Sequence, residues 1–149
     1  MTGPGMWEGP ATLPEDNGQL GWMLDDLIGR VGQIRKVLVL SRDGLVISAC
    51  SGMGRDEAEY LAALAAGLFS VANGAQPHLD AGQVRQAVIE LEAGLFFVVP
   101  AGQGSCLALL SEAGSNAGLI AYEMTTLVKR VGRHLAALPR TGAPPISPG

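Results

Sequence analysis

The chain has 149 residues, a net charge of −4, 48% hydrophobic side chains and only 16% charged ones. The length suits one domain, and the composition excludes a disordered, charge-rich chain. Its Arg and Lys residues are scattered, the densest run being Lys129, Arg130 and Arg133, balanced by Glu123; with no basic stripe, nucleic-acid binding is not expected. Soluble domains average about 25% charge, so part of this surface is expected to lie against another protein.

Residues 1–17 and 139–149 are rich in Pro and Gly and read as disordered tails around a single domain at residues 18–138. The start of the chain has no basic region followed by an apolar core, so no signal peptide is expected. Two charge-free stretches, residues 60–79 and 93–111, are broken by Pro, Gly, Asn and Gln. Neither offers about 18 continuous apolar residues. No direct membrane insertion is expected, and the location is expected to be cytoplasmic.

The first helix is predicted over residues 19–31. Leu20, Met23, Leu24, Leu27, Ile28 and Val31 make one apolar stripe, Asp16 or Asn17 can cap its start, and Gly32 can end it. Residues 36–41 and 45–50 flank Arg42-Asp43-Gly44, a hairpin signal. Val37 to Leu40 and Leu45 to Ile47 are apolar on both faces, so layers are expected above and below this sheet. The second helix is predicted from Asp56, its cap with Glu59 three residues on, to Ala75, with Pro77 after the stop.

Residues 83–92 alternate, with Ala87, Ile89 and Leu91 on one face and Gln86, Glu90 and Glu92 on the other. That pattern reads as a strand near an edge. Ala93-Gly94 turns the chain into a strand at 95–99; residues 100–104 turn it again, and 106–110 form the last strand. Ile120, Met124, Leu127, Val128, Val131 and Leu135 mark a final helix. The order α-β-β-α-β-β-β-α with hairpin links predicts an α/β chain of the α+β kind. Its five-stranded antiparallel sheet carries helices on both faces.

Catalytic chemistry finds little support. Neither Lys36 nor Lys129 ends a Gly-rich phosphate loop, and Gly52-Met53-Gly54 lacks the third Gly and the Lys that such a loop needs. His78, read as lying in the turn after Pro77, and His134 have no partners at metal-ligand spacing. Ser105-Cys106 precedes a strand where a nucleophile elbow requires a helix. Cys50 and Cys106 sit in apolar runs and read as buried hydrophobes; a Cys106–His78 pair is the one enzymatic alternative. No enzyme activity, cofactor or metal is expected.

The second helix carries the functional signal. Residues 60–75, YLAALAAGLFSVANGA, contain no charged side chain. Leu61, Ala65, Leu68, Phe69 and Ala72 are predicted to face the sheet, and Ala63, Ala66, Gly67, Ser70 and Gly74 to face outward. Gly67 in mid-helix costs roughly 1 kcal/mol relative to Ala, and close approach of a partner would offset it. The edge strand could pair with its own copy across a twofold axis, with Arg85 opposite Glu90. The predicted dimer interface is therefore Ala63, Ala66, Gly67, Ser70, Val71 and Gly74 of the helix, with Arg85, Gln86, Val88 and Glu90 of the strand. A different reading is a small-molecule sensor domain, which would need a pocket with convergent polar groups.

The chain also resembles the Roadblock/LC7 (dynein-light-chain-like) family. The segments that carry this are LGWMLDDLIGRV, VLVLSRDGLVISA, GMGRDEAEYLAALAAGL, VRQAVIELEAGLFFVVPAG, GSCLALL and GLIAYEMTTLVKRVGRHL. The Asp43-Gly44 hairpin, the Ala/Gly-rich second helix and GLIAYEM look most like the actinobacterial branch. There such proteins are encoded beside a sensor-histidine-kinase-like protein and a Ras-like GTPase. The resemblance implies a profilin-like fold with the first and last helices on one face and the second on the other. It implies a homodimer joined by third strands and second helices, acting like MglB-type proteins as a non-catalytic regulator or scaffold of a small Ras-like GTPase. By position, Tyr60, Ala63, Gly67 and Ser70 become the GTPase-contact candidates. Partners implied are a second copy, the GTPase and the kinase-like protein, with recruitment to a membrane-associated complex.

Overall fold

The structure, a computed structural model, describes residues 16–102 and 104–137. Three helices and five strands follow in the order α1 (Asp16–Arg30), β1 (Ile34–Ser41), β2 (Val46–Ala49), α2 (Arg55–Leu79), β3 (Ala87–Leu91), β4 (Gly94–Pro100), β5 (Ser105–Glu112) and α3 (Ala117–Ala137). Every pairing is antiparallel, and the strands lie in the order β2-β1-β5-β4-β3. The fold class and element order are those the sequence predicts. Asp16 and Asn17, expected in a tail, belong to α1, and the rest of both expected tails lies outside the described residues, as does whatever caps α1.

Directly paired residues of neighbouring strands share a face. Ala49, Leu38, Ala108, Val98 and Ala87 thus form a row across the whole sheet. Lys36, two residues before Leu38 and on its face, bonds to Glu57 of α2, so this row faces α2. Val39 and Ser48 share the other face, where a Cβ on Gly21 of α1 would lie 3.8 Å from Ser48 Oγ. On that side α1 packs against β1 and β2, α3 packs against β4, and the two helices touch each other. Arg30 of α1 donates to Asp26 at 2.9 Å and to Glu123 of α3 at 2.7 Å.

The central strands are buried on both faces, as their unbroken apolar runs require: Val37, Leu38, Val39 and Leu40 are all inaccessible. The second hairpin strand departs from that expectation. Leu45 is exposed and Val46 and Ile47 are half-buried, because β2 is the sheet's outer edge and only its inner flank has a neighbour. The hairpin turn follows its sequence signal, with Gly44 at φ +92° and Ser41 N donating to Leu45 O at 2.8 Å.

Four local expectations are corrected. Gly54, not Asp56, is the N-cap of α2; Asp56 and Glu57 fall in its first turn, where their charge suits the helix dipole. Pro77 lies inside α2, which continues to Leu79 and stops where Asp80 takes the left-handed conformation (φ 52°). His78 therefore belongs to the last helical turn. The β3–β4 turn is Glu92-Ala93, since Leu91 pairs with Gly94; Gly94 is inside β4, where a Cβ would meet Ser111 O at 2.5 Å. At the far end of the chain Asn116 caps α3, its Oδ1 accepting Leu119 N–H at 3.0 Å.

Candidate functional site

Several contacts hold α2 from its inner side. Asp25 of α1 accepts both Ser51 N–H (2.8 Å) and Ser51 Oγ–H (2.6 Å), holding the loop that leads into α2. One turn in, Glu57 bonds to Lys36. Ala58, Ala62, Ala65, Ala66 and Phe69 then form the buried side. Small residues meet a row that is itself largely small (Ala49, Ala108, Ala87), so helix and sheet pack closely. Arg42 from the β1–β2 turn lies over the Phe69 ring at 5.2 Å, and Gln76 Oε1 accepts Val84 N–H at 3.3 Å.

The outer side is left open. Tyr60 is 70% exposed and Val71 73%, and between them Ala63, Leu64, Gly67 and Ser70 are exposed, with Gly74 one turn on. Tyr60, Leu64, Gly67, Val71 and Gly74 fall at i, i+4, i+7, i+11 and i+14, a single row on one helix face. No charged side chain interrupts it. A Cβ on Gly67 or on Gly74 would meet nothing within 4 Å, so nothing in this chain's own packing requires glycine at either position.

Ala66 departs from its predicted place. It is 9% exposed, and a Cβ on Gly44 would lie 3.6 Å from its methyl group, so it packs under the β1–β2 turn. Leu61, Leu68 and Ala72, predicted to face the sheet, are half-buried flanks, while Ala58 and Ala62 hold the centre. In a helix built mostly of Ala, the sequence offers little contrast between the sides. Leu64, absent from the predicted set, joins the exposed row; its i+4 spacing from Tyr60 was the available signal.

The predicted edge strand is an edge, but a shorter one. β3 holds Val88 and Glu90, both exposed, whereas Arg85 and Gln86 precede it. The register explains this: Ala87 pairs with Val98, so Arg85 would stand opposite Pro100, which has no N–H to give. The segment before β3, with Gly82 at φ +91°, leaves a cleft of about 820 Å³ against α3. Its lining includes Gln83, Val84, Arg85, Thr125 and Val128.

Both thiols are buried. Burial pushes Cys50 and Cys106 above the ordinary thiol range, with Arg42 drawing Cys106 back only in part, so neither is poised as a thiolate. His78 is exposed at the end of α2 while Cys106 is wholly inaccessible within β5. Among the described residues no three His, Cys, Asp or Glu side chains gather as a metal site. No helix among them is long and apolar enough to cross a membrane.

Comparison with known proteins agrees with this architecture. A solved Roadblock/LC7 domain from Streptomyces avermitilis is 42% identical, covers 78% of this chain and 98% of its own length, and superposes with a TM-score of 0.74. An uncharacterised protein of Methanocaldococcus jannaschii is 34% identical over 98 residues, 66% of this chain and 84% of that protein. The gliding protein MglB of Thermus thermophilus shares the fold at 17% identity (TM-score 0.73, 92% of this chain, 100% of that one). The family model for the Roadblock/LC7 domain matches residues 20–111, from α1 through β5. The chain belongs to the Roadblock/LC7 family.

Proposed function

We propose that this protein is a non-catalytic homodimeric adaptor that regulates a small Ras-like GTPase in a bacterial signalling complex. The observation that carries this reading is the exposed, uncharged row on α2 from Tyr60 to Gly74. Soluble domains rarely leave such a row to water, and full burial of a Leu or Val side chain is worth about 1.5–3 kcal/mol. In the proposed dimer two copies of α2 lie side by side, with Gly67, Ser70, Val71 and Gly74 at the closest approach. The β3 edges pair through Val88 and Glu90, with Arg85 and Gln86 at the ends of the joint. Tyr60, Ala63, Gly67 and Ser70 contribute to the GTPase-binding face. Likeness to MglB, one solved form of which is described as tetrameric, supports self-association. The family resemblance supports the GTPase, a kinase-like third partner, a cytoplasmic location and assembly at a membrane-associated complex. A domain spanning residues 18–138 between two tails belongs to the same reading.

Sedimentation and a pull-down test it. The wild type should sediment as a dimer and retain a GTPase from its native cell. Gly67→Arg places a cation on the contact face; it should keep the fold and lose the dimer, the GTPase or both. A Gly67→Arg protein that remains dimeric and GTPase-bound overturns the interface.

A sensor domain is the second reading, favoured by the cleft beside β3. Its volume is in the range of small-molecule pockets, and Gln83, Arg85 and Thr125 supply polar groups. A thermal-shift screen against metabolites separates the two: a specific, saturable rise in Tm selects the sensor.

A further inference from the structure

We propose that the outer face of the α1/α3 layer docks on an anionic lipid surface. Ile120, Met124, Leu127 and Val131 of α3 turn to the sheet. The opposite row of that helix is Tyr122, Thr126, Lys129 and Arg133, all exposed, with Tyr122 at 69%. Beside it on α1 stands Trp22, 58% exposed, with the Arg130 guanidinium 6.0 Å from its ring.

The charges along α3 are segregated. Toward one end Arg30 engages both Asp26 and Glu123, and those hydrogen bonds, Glu123 foremost, hold its guanidinium firmly charged. Past Glu123, α3 contains no further acid, and Lys129 and Arg133 form no ion pair among the described residues. A chain of net charge −4 thus places Lys129, Arg130 and Arg133 within five residues of one helix, with Arg130 beside an exposed Trp. Amphipathic rings next to free cations are the composition of a surface that settles at a lipid headgroup layer.

The favoured occupant is planar because the groups stand on the outward rows of two adjacent helices rather than around a groove. A flat anionic surface meets Trp22, Tyr122, Lys129 and Arg133 together. This is peripheral docking, since no described helix can span a bilayer. One part of the inference rests on the proposed dimer. Sheets joined edge to edge through β3 would carry both α1/α3 layers on one side and both α2 helices on the other. Two copies of the patch would then engage one surface with the gain of bivalency, leaving the α2 face free.

Vesicle co-sedimentation at low salt tests this, comparing equal parts of phosphatidylglycerol and phosphatidylcholine with phosphatidylcholine alone. The full chain should sediment with the anionic vesicles only and release at high salt. Each cation removed should weaken binding about fivefold, and Lys129→Glu/Arg133→Glu should abolish it with Tm and sedimentation coefficient unchanged. No binding at low salt, equal binding to both vesicles, or full binding by the double variant overturns the proposal. So does binding to polyglutamate through the same cations without binding to vesicles, which assigns the face to an acidic polypeptide. Gly67→Arg separates the two proposals: a monomer that still binds anionic vesicles, more weakly, keeps the lipid face whatever becomes of the α2 interface.

Discussion

Two helical layers cover one sheet, and they are built by different rules. The α1/α3 layer uses large side chains inside (Leu20, Leu24, Leu27, Ile120, Met124, Leu127) and ionic or amphipathic groups outside, with Arg30 tying its two helices together. The α2 layer is a single helix whose inner side is mostly Ala and whose outer side carries no Asp, Glu, Lys or Arg from Tyr60 onward until Asp80. A bulky inner side gives a layer its stability from within the chain. A slim helix pressed onto small sheet residues contributes less of its own and leaves its other side for a partner.

Truncating the bulky layer should have the largest effect on folding. Leu27→Ala removes an inaccessible side chain and should lower unfolding free energy by about 2–5 kcal/mol, read by chemical denaturation. In the slim layer the reverse change is the damaging one: Ala65→Leu forces bulk between α2 and the sheet and should cost about 1–3 kcal/mol. If Ala65→Leu is neutral, α2 does not sit as close as the comparison requires. Asn116→Ala removes the α3 cap and should cost about 1 kcal/mol, without touching α2 or self-association.

The thiols give the smallest effect and a pH dependence. Cys50 and Cys106 are held above the ordinary thiol range by burial. From about pH 8.5 upward the unfolded chain sheds thiol protons that the folded one keeps, so stability should decline with rising pH. Below that value the two states hold the same protons and the thiols should contribute no slope. A thiol reagent at neutral pH should label neither cysteine until denaturant is added. Fast native labelling of Cys106 would reopen the cysteine-enzyme alternative.

Much of this was legible because the signals are local and redundant. Asp43-Gly44 between apolar runs names its hairpin, and the stripe from Leu20 to Val31 names its helix. The misplacements share a cause: a local rule met a tertiary contact. Pro77 normally ends a helix, yet Gln76 is anchored to Val84 and the helix runs on to Leu79. The edge strand is cut short because Pro100 stands where its next partner would be. Ala66 looked outward on a helical wheel and is buried by Gly44, a residue from a distant hairpin.

The sequence by itself determined the order of elements, which runs must be covered on both faces, and that residues 60–75 lack charge. Those properties follow from periodicity and side-chain chemistry along a few turns of chain. Only the tertiary structure decided which side of α2 is free, that Trp22 and Arg130 stand together, and where the edge strand stops. Each depends on residues far apart in sequence whose approach is fixed by the register of the sheet, and no local pattern encodes a register.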